Sequence, residues 1–310
     1  MENPIHILLD DLLGLLKAIA PEKAADLDAL LPNGQPTIDK IETEDSFAFF
    51  VYPSTNRITA GIGCCGRLWA TGYGYFCIAE RLFQAEKQDI HTAQEINLKG
   101  DRQIGEATTL IEWAIDVEIQ IAELRKRKER IPGSFAWPDD LPKPVSNPPK
   151  MSNRQVADEL FLCAAAFILH HELAHIRLGH VSSNDEDEMK AIEAEADMAS
   201  AEWLLQGLDQ HDERFVKRAL GVALALAWMA SLAVFVPEDQ EYHPPSCDRL
   251  YNVVARFVTD PNHLVWAFVG AILRANLEGR QMKYDRERET TSFKDDVEYC
   301  ISVIRKYQAT

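Results

Sequence analysis

A chain of 310 residues, 46% hydrophobic and 26% charged, is long enough to bury a substantial core and has the composition of an ordinary globular protein. Its formal net charge of -17 repels phosphate backbones and gains nothing from anionic membrane surfaces, which argues against nucleic acid as a partner. Six cysteines without a CxxC pair point to a reduced, cytoplasmic protein rather than a secreted, disulfide-bonded one.

In chain order, residues 1–31 read as an amphipathic helix stopped by Pro32-Asn33-Gly34. Acidic residues come before any basic one there, so a secretory signal is not expected. Residues 46–52 and 57–62 read as short strands joined over Pro53 to Asn56 in a hairpin-like connection. Residues 68–87 turn helical, with Gly72 and Gly74 weakening the start. Residues 104–130 form a strong helix whose basic run Arg125-Lys126-Arg127-Lys128 suits a helix C-terminus. Pro132, Pro138, Pro142, Pro144, Pro148 and Pro149 mark residues 131–150 as a linker or an extended wrapping segment. It separates an α/β part (1–130) from a helical part (151–310), unless the chain forms one continuous domain. Helices are expected near 154–180, 187–207, 213–236, 246–257, 262–277 and 293–307. The uncharged run from Ala219 to Val236 reaches the lower length bound for a membrane span, although much of it is alanine. A buried core helix is expected; peripheral association with, or insertion into, the inner membrane through 219–236 is the alternative.

The chemistry concentrates on the 154–180 helix. His171-Glu172-Leu173-Ala174-His175 is an HExxH pattern, and residues four apart share one helical face. Two imidazoles one turn apart can hold one tetrahedral ion, with Glu172 close enough to activate a water. A zinc peptidase needs a third protein ligand and an open fourth position. Glu193-Ala194-Glu195-Ala196-Asp197 supplies ExxAD on the following helix. Glu193 can complete the metal site, and Asp197, one turn on, can accept from the free ring nitrogen of a ligand histidine. Glu195 is the rival ligand but points off the face shared by Glu193 and Asp197. The 17 residues between His175 and Glu193 allow a helix end, a turn and an antiparallel helix. Further on, Pro244 and Pro245 start a helix and hold His243 at its entrance. His243 is a candidate donor to the oxyanion of a tetrahedral intermediate, with Arg249 assisting. His170 points elsewhere on its helix and is expected to pack in the core or behind the ligand residues rather than to bind the metal. His180 follows Gly179 at the helix end, where a cationic imidazole is favourable. His6, His91, His211 and His263 have no partner motif.

HExxH, ExxAD and HPxxxxR in this order resemble the zincins with a glutamate third ligand, including the membrane peptidases of the HtpX type. A closer resemblance is to the phage-exclusion protease family named after the Lit protein. It rests on APEKAADLDAL (20–30), WPDDLPKP (137–144), QVADELFLCAAAFILHHELAHIRLGH (155–180), EAEADMASAEWLL (193–205), KRALGVALALA (217–227) and HPPSCDRLYNV (243–253). The similarity weakens over 33–103 and after about 258. It implies an intracellular bacterial zinc metallopeptidase that aborts phage infection, cutting translation elongation factor Tu when a phage-derived peptide is present. Carried over by position, it implies metal ligands at His171 and His175 and the catalytic glutamate at Glu172. The expected fold is α+β but mainly α: a small N-terminal β-hairpin or sheet with helices, then a helical zincin-like core. Alternatives are a housekeeping quality-control zinc peptidase and a metal-stapled scaffold or sensor whose site is closed by a fourth protein ligand such as His180.

Overall fold

The computed structural model describes residues 3–31, 37–41, 49–55, 57–87, 100–132, 135–181, 183–235 and 243–308. The fold is mainly α with a minor β part, as the sequence predicts. The stop signal Pro32-Asn33-Gly34 and the first residues of the 46–52 strand lie outside the described residues.

The N-terminal segment is not one helix. A 3-10 turn (Pro4–Leu8) leads into α1 (Leu9–Ala18), a second 3-10 turn (Pro21–Lys23) follows, and α2 covers Ala24–Leu30. The break has a local cause. Pro21 lacks an N–H and forces the residue before it out of the α region, and Ala20 indeed sits at φ -134°, ψ 68°. Strands β2 (Phe49–Tyr52) and β3 (Arg57–Gly61) pair antiparallel, Val51 opposite Ile58, across a 3-10 turn at Pro53–Thr55. A strand not anticipated, β1 (Thr37–Ile41), pairs parallel with β3, so the order is β1-β3-β2. Among the described residues β2 is thus an edge strand, and it lies against α5.

Helix α3 (Ile62–Lys87) begins directly after β3 and runs through Gly72 and Gly74, which sit where the helix meets Leu224 and Ile111. Asp101 caps α4 (Arg102–Lys126), which ends in Arg125 and Lys126 as its dipole favours. The proline-rich segment wraps onto these two helices. Trp137 packs its ring between Trp69 of α3 and Trp113 of α4 and donates from Nε1 to the Pro142 carbonyl (3.2 Å). The remaining helices are α5 (Asn153–Leu178), α6 (Glu186–Leu205), α7 (Glu213–Phe235), α8 (Ser246–Phe257), α9 (Leu264–Gly279) and α10 (Phe293–Gln308), within a few residues of expectation. One cluster of buried apolar side chains runs from Ile5 to Ile304.

Helices α5 and α7 form the centre of that cluster. Two helical stretches, Asn153–Leu178 and Glu213–Leu232, are long and apolar enough to cross a membrane, but 72% of each apolar window is buried inside the protein. Val222 through Ala227 have their side chains in the core. Close approach of α5 and α7 depends on Gly221: a Cβ there would lie 2.2 Å from Cys163 Cβ and 2.8 Å from the Cys163 carbonyl carbon. Gly221→Ala therefore forces two backbones apart, an overpacking cost of about 1–3 kcal/mol. A urea unfolding midpoint equal to wild type would contradict this packing. All six cysteines are buried and free.

Candidate metal centre

Helix α5 is started by Ser152, whose side chain accepts from the Gln155 N–H. Helix α6 is started by Asp185, which accepts from Asp187 and Glu188, with Glu186, Asp187 and Glu188 in its positive first turn. The two helices pack antiparallel: Ser200 donates to the Phe167 carbonyl, Asp197 meets His171, and Glu193 meets both His171 and His175. Spacings of four on each helix thus place four functional side chains on the facing sides of α5 and α6, one turn apart.

His171 Nε2 and His175 Nε2 are 3.2 Å apart. Glu193 Oε2 lies 3.2 Å from the first and Glu193 Oε1 3.5 Å from the second. Ligands at roughly 2.0–2.1 Å around a tetrahedral ion are separated by about 3.3 Å. Each carboxylate oxygen of Glu193 faces a different imidazole, and one ligand atom from each of the three residues lies within 4.8 Å of the others, so the donor set could hold a metal ion. Among the described residues, no other His, Cys, Asp or Glu joins this group. Glu193 Oε2 is buried and faces two imidazole nitrogens, His171 Nε2 at 3.2 Å and His243 Nδ1 at 3.0 Å.

The opposite edge of His171 is held as the ligand role requires. Its Nδ1 faces Asp197 Oδ1 at 2.9 Å, so Nδ1 carries the hydrogen and Nε2 points at the centre. Asp197 is in turn gripped by the Arg249 fork, Nε donating to Oδ2 (2.6 Å) and Nη2 to Oδ1 (2.8 Å). Arg249, expected beside an oxyanion, has its guanidinium buried and committed to Asp197, with Nη2 4.0 Å from Glu193 Oε2. His243 stands at the start of the α8 segment with its Nδ1 3.0 Å from Glu193 Oε2, and is 41% exposed.

Burial works against charge throughout this cluster, and the contacts decide the outcome. For His171, burial would push the pKa down, but Asp197 and Glu193 outweigh it and hold it up at about 10. For Glu193, burial alone would raise the pKa, yet hydrogen bonds from His171 and His243 hold it well below the usual carboxylate range. His175 is pushed down to about 4, by burial and then by the neighbouring His171 charge. Glu172 is raised to about 7, chiefly by burial, with Glu193 adding to it and His171 opposing. Its carboxylate also accepts from the Val51 backbone N–H, which brings strand β2 to the site.

Two expected bystanders behave differently. His170 turns into the core as predicted: its Nε2 donates to the Leu16 carbonyl (3.1 Å), its ring stacks on Trp203, and burial drives its pKa to about 3. His180 does sit at the helix end, but its ring turns back to the centre, Nδ1 lying 3.0 Å from His175 Nδ1 and Nε2 3.3 Å from Glu195 Oε2. Glu195 accordingly reaches His180. Sequence reasoning missed this contact and the Val51 contact; a histidine one residue past the glycine that ends the helix was the only signal for the first. His263 caps α9 and contacts Gln210, while His91 lies outside the described residues.

Comparison with known proteins agrees with the motifs. The peptidase U49 family matches residues 58–269, a span that contains His171, Glu172, His175, Glu193, Asp197, His243 and Arg249. The chain is 25% identical over 300 residues to the cell death peptidase of Escherichia coli strain K12, covering 94% of this chain and 95% of that relative. No solved structure matches the chain.

Proposed function

Because this chain belongs to the peptidase U49 (Lit) family and is therefore a peptidase, we propose that it is a zinc-dependent metalloendopeptidase of the phage-exclusion type, with His171, His175 and Glu193 as the metal ligands. The observation that supports the reading is the convergence of His171 Nε2, His175 Nε2 and the Glu193 carboxylate, one ligand atom from each residue lying within 4.8 Å of the others. A zinc ion held there supplies Lewis acidity: it lowers the pKa of a coordinated water toward about 7 and polarises the scissile carbonyl.

The protein's own residues do the rest. Glu172 takes the proton of the attacking water and passes it to the leaving amine. Its half-buried carboxylate is held beside β2 through the Val51 contact. His243, with Nδ1 3.0 Å from Glu193 Oε2, stands beside the centre as the candidate donor to the developing oxyanion. Asp197 fixes the ring of His171, and Arg249 fixes Asp197. Strand β2, with one edge unpaired among the described residues and Val51 touching Glu172, is placed to receive an extended stretch of substrate.

The proposed substrate is an intracellular protein, translation elongation factor Tu by family resemblance, cut in the cytoplasm when a phage-derived peptide is present. His180 uses both ring nitrogens within the protein, which supports an open site over a metal closed by a fourth ligand. The test is zinc stoichiometry paired with cleavage of purified elongation factor Tu, with and without phage peptide. One zinc per chain, lost in His171→Ala, and peptide-dependent cleavage are expected. Zinc retained by His171→Ala would refute the ligand set. Cleavage of unfolded proteins at large, with elongation factor Tu left intact, would redirect the reading to a quality-control peptidase.

A further inference from the structure

We propose that His180 and Glu195 form a positioning relay for the metal ligand His175, an inference that rests on the zinc reading above. The backbone brings His180 into place. Gly179 adopts the left-handed conformation (φ 69°), its N–H donates to the Ile176 carbonyl (3.3 Å), and the His180 N–H donates to the His175 carbonyl (3.0 Å). These are the two bonds of a Schellman motif, whose usual accompaniment is an apolar contact between the residues at these two positions. Here the contact is between two imidazoles, with ring centroids 5.1 Å apart and planes at 69°.

Hydrogen-bond direction follows from the metal end. With Nε2 of His175 given to a cation, its Nδ1 must carry the hydrogen, so it donates to His180 Nδ1 (3.0 Å). His180 must then be the tautomer protonated on Nε2, which donates to Glu195 Oε2 (3.3 Å). Every donor finds an acceptor, and the chain ends on a carboxylate that is 62% exposed, while the His180 side chain is only 9% exposed. His175 thereby has a partner on its outer nitrogen, as His171 has Asp197, but one built from the helix cap and the next helix. Partners of this kind orient a ligand ring and raise its basicity, and their loss costs about 10–100-fold in metal affinity.

The test measures zinc dissociation constants by chelator competition for wild type, His180→Ala and His180→Asn, alongside melting of the metal-free proteins. His180→Ala is expected to bind zinc about 10–100-fold more weakly. His180→Asn places Oδ1 where Nδ1 stood, keeps an acceptor for the His175 N–H, and is expected to recover at least about tenfold of that loss. Comparison between the two variants removes any shared effect on folding. Equal zinc affinity in wild type and His180→Ala, or equal weakening by Ala and Asn, overturns the relay. Failure of the zinc reading itself would show differently, as wild type without stoichiometric zinc.

Discussion

Glu172→Gln is expected to keep one zinc per chain and to lower kcat for substrate cleavage by about 10³-fold, a rise of about 4 kcal/mol in the barrier. Glutamine preserves the shape of the side chain and an acceptor for the Val51 N–H, so the contact with β2 survives. What it lacks is the ability to take a proton. The stability of the metal-free protein supplies an independent check. The Glu172 pKa rises from 4.5 in the unfolded chain to about 7 in the fold. Between those values the folded state binds a proton that the unfolded state has already lost. Stability from this group is therefore complete below pH 4.5 and declines as pH rises toward 7. Glu172→Gln removes that decline, so the difference in melting temperature between variant and wild type should grow in the variant's favour over this interval. Cleavage within tenfold of wild type would remove Glu172 from the mechanism.

Asp197→Ala is expected to damage both the fold and the metal site. Asp197 and Arg249 are both buried, and their paired hydrogen bonds are 2.6 and 2.8 Å long. Removing the carboxylate leaves a guanidinium buried without its partner, at a cost of about 3–5 kcal/mol. It also frees the His171 ring, and zinc should bind about 10–100-fold more weakly. The double variant Asp197→Ala/Arg249→Met separates the two effects. With the unpaired charge gone, most of the stability should return. Zinc affinity should not, because nothing then holds the Nδ1 hydrogen of His171. Chemical denaturation and chelator competition read the two quantities. A double variant that recovers zinc affinity along with stability would show that Asp197 serves the fold alone.

The same division runs through the whole chain. Helices α5 to α10 are legible in the sequence because apolar periodicity, Ser152, Asp185, Gly179 and Pro245 act within a few residues of themselves. The metal centre is legible for the same reason. A spacing of four residues places His171 with His175, and Glu193 with Asp197, before any packing is known. Pro21 was a local signal too, and its break in the first helix could have been read. Strand β1 was harder, since five residues from Thr37 acquire their conformation by pairing with a strand twenty positions further on.

Tertiary structure decided the polar contacts that no spacing in the sequence foretold. Arg249 could face a substrate or a carboxylate from anywhere on α8, and the packing of α8 beside α6 gave it to Asp197. Glu172 found the Val51 N–H across more than a hundred residues of sequence. The uncharged run of α7, expected as a core helix with a membrane span as the alternative, packs on α5 at Gly221 with 72% of its apolar window buried. Periodicity determines the face on which a side chain stands, but a partner is determined by what packs against that face, and that depends on the angle and depth at which distant helices meet.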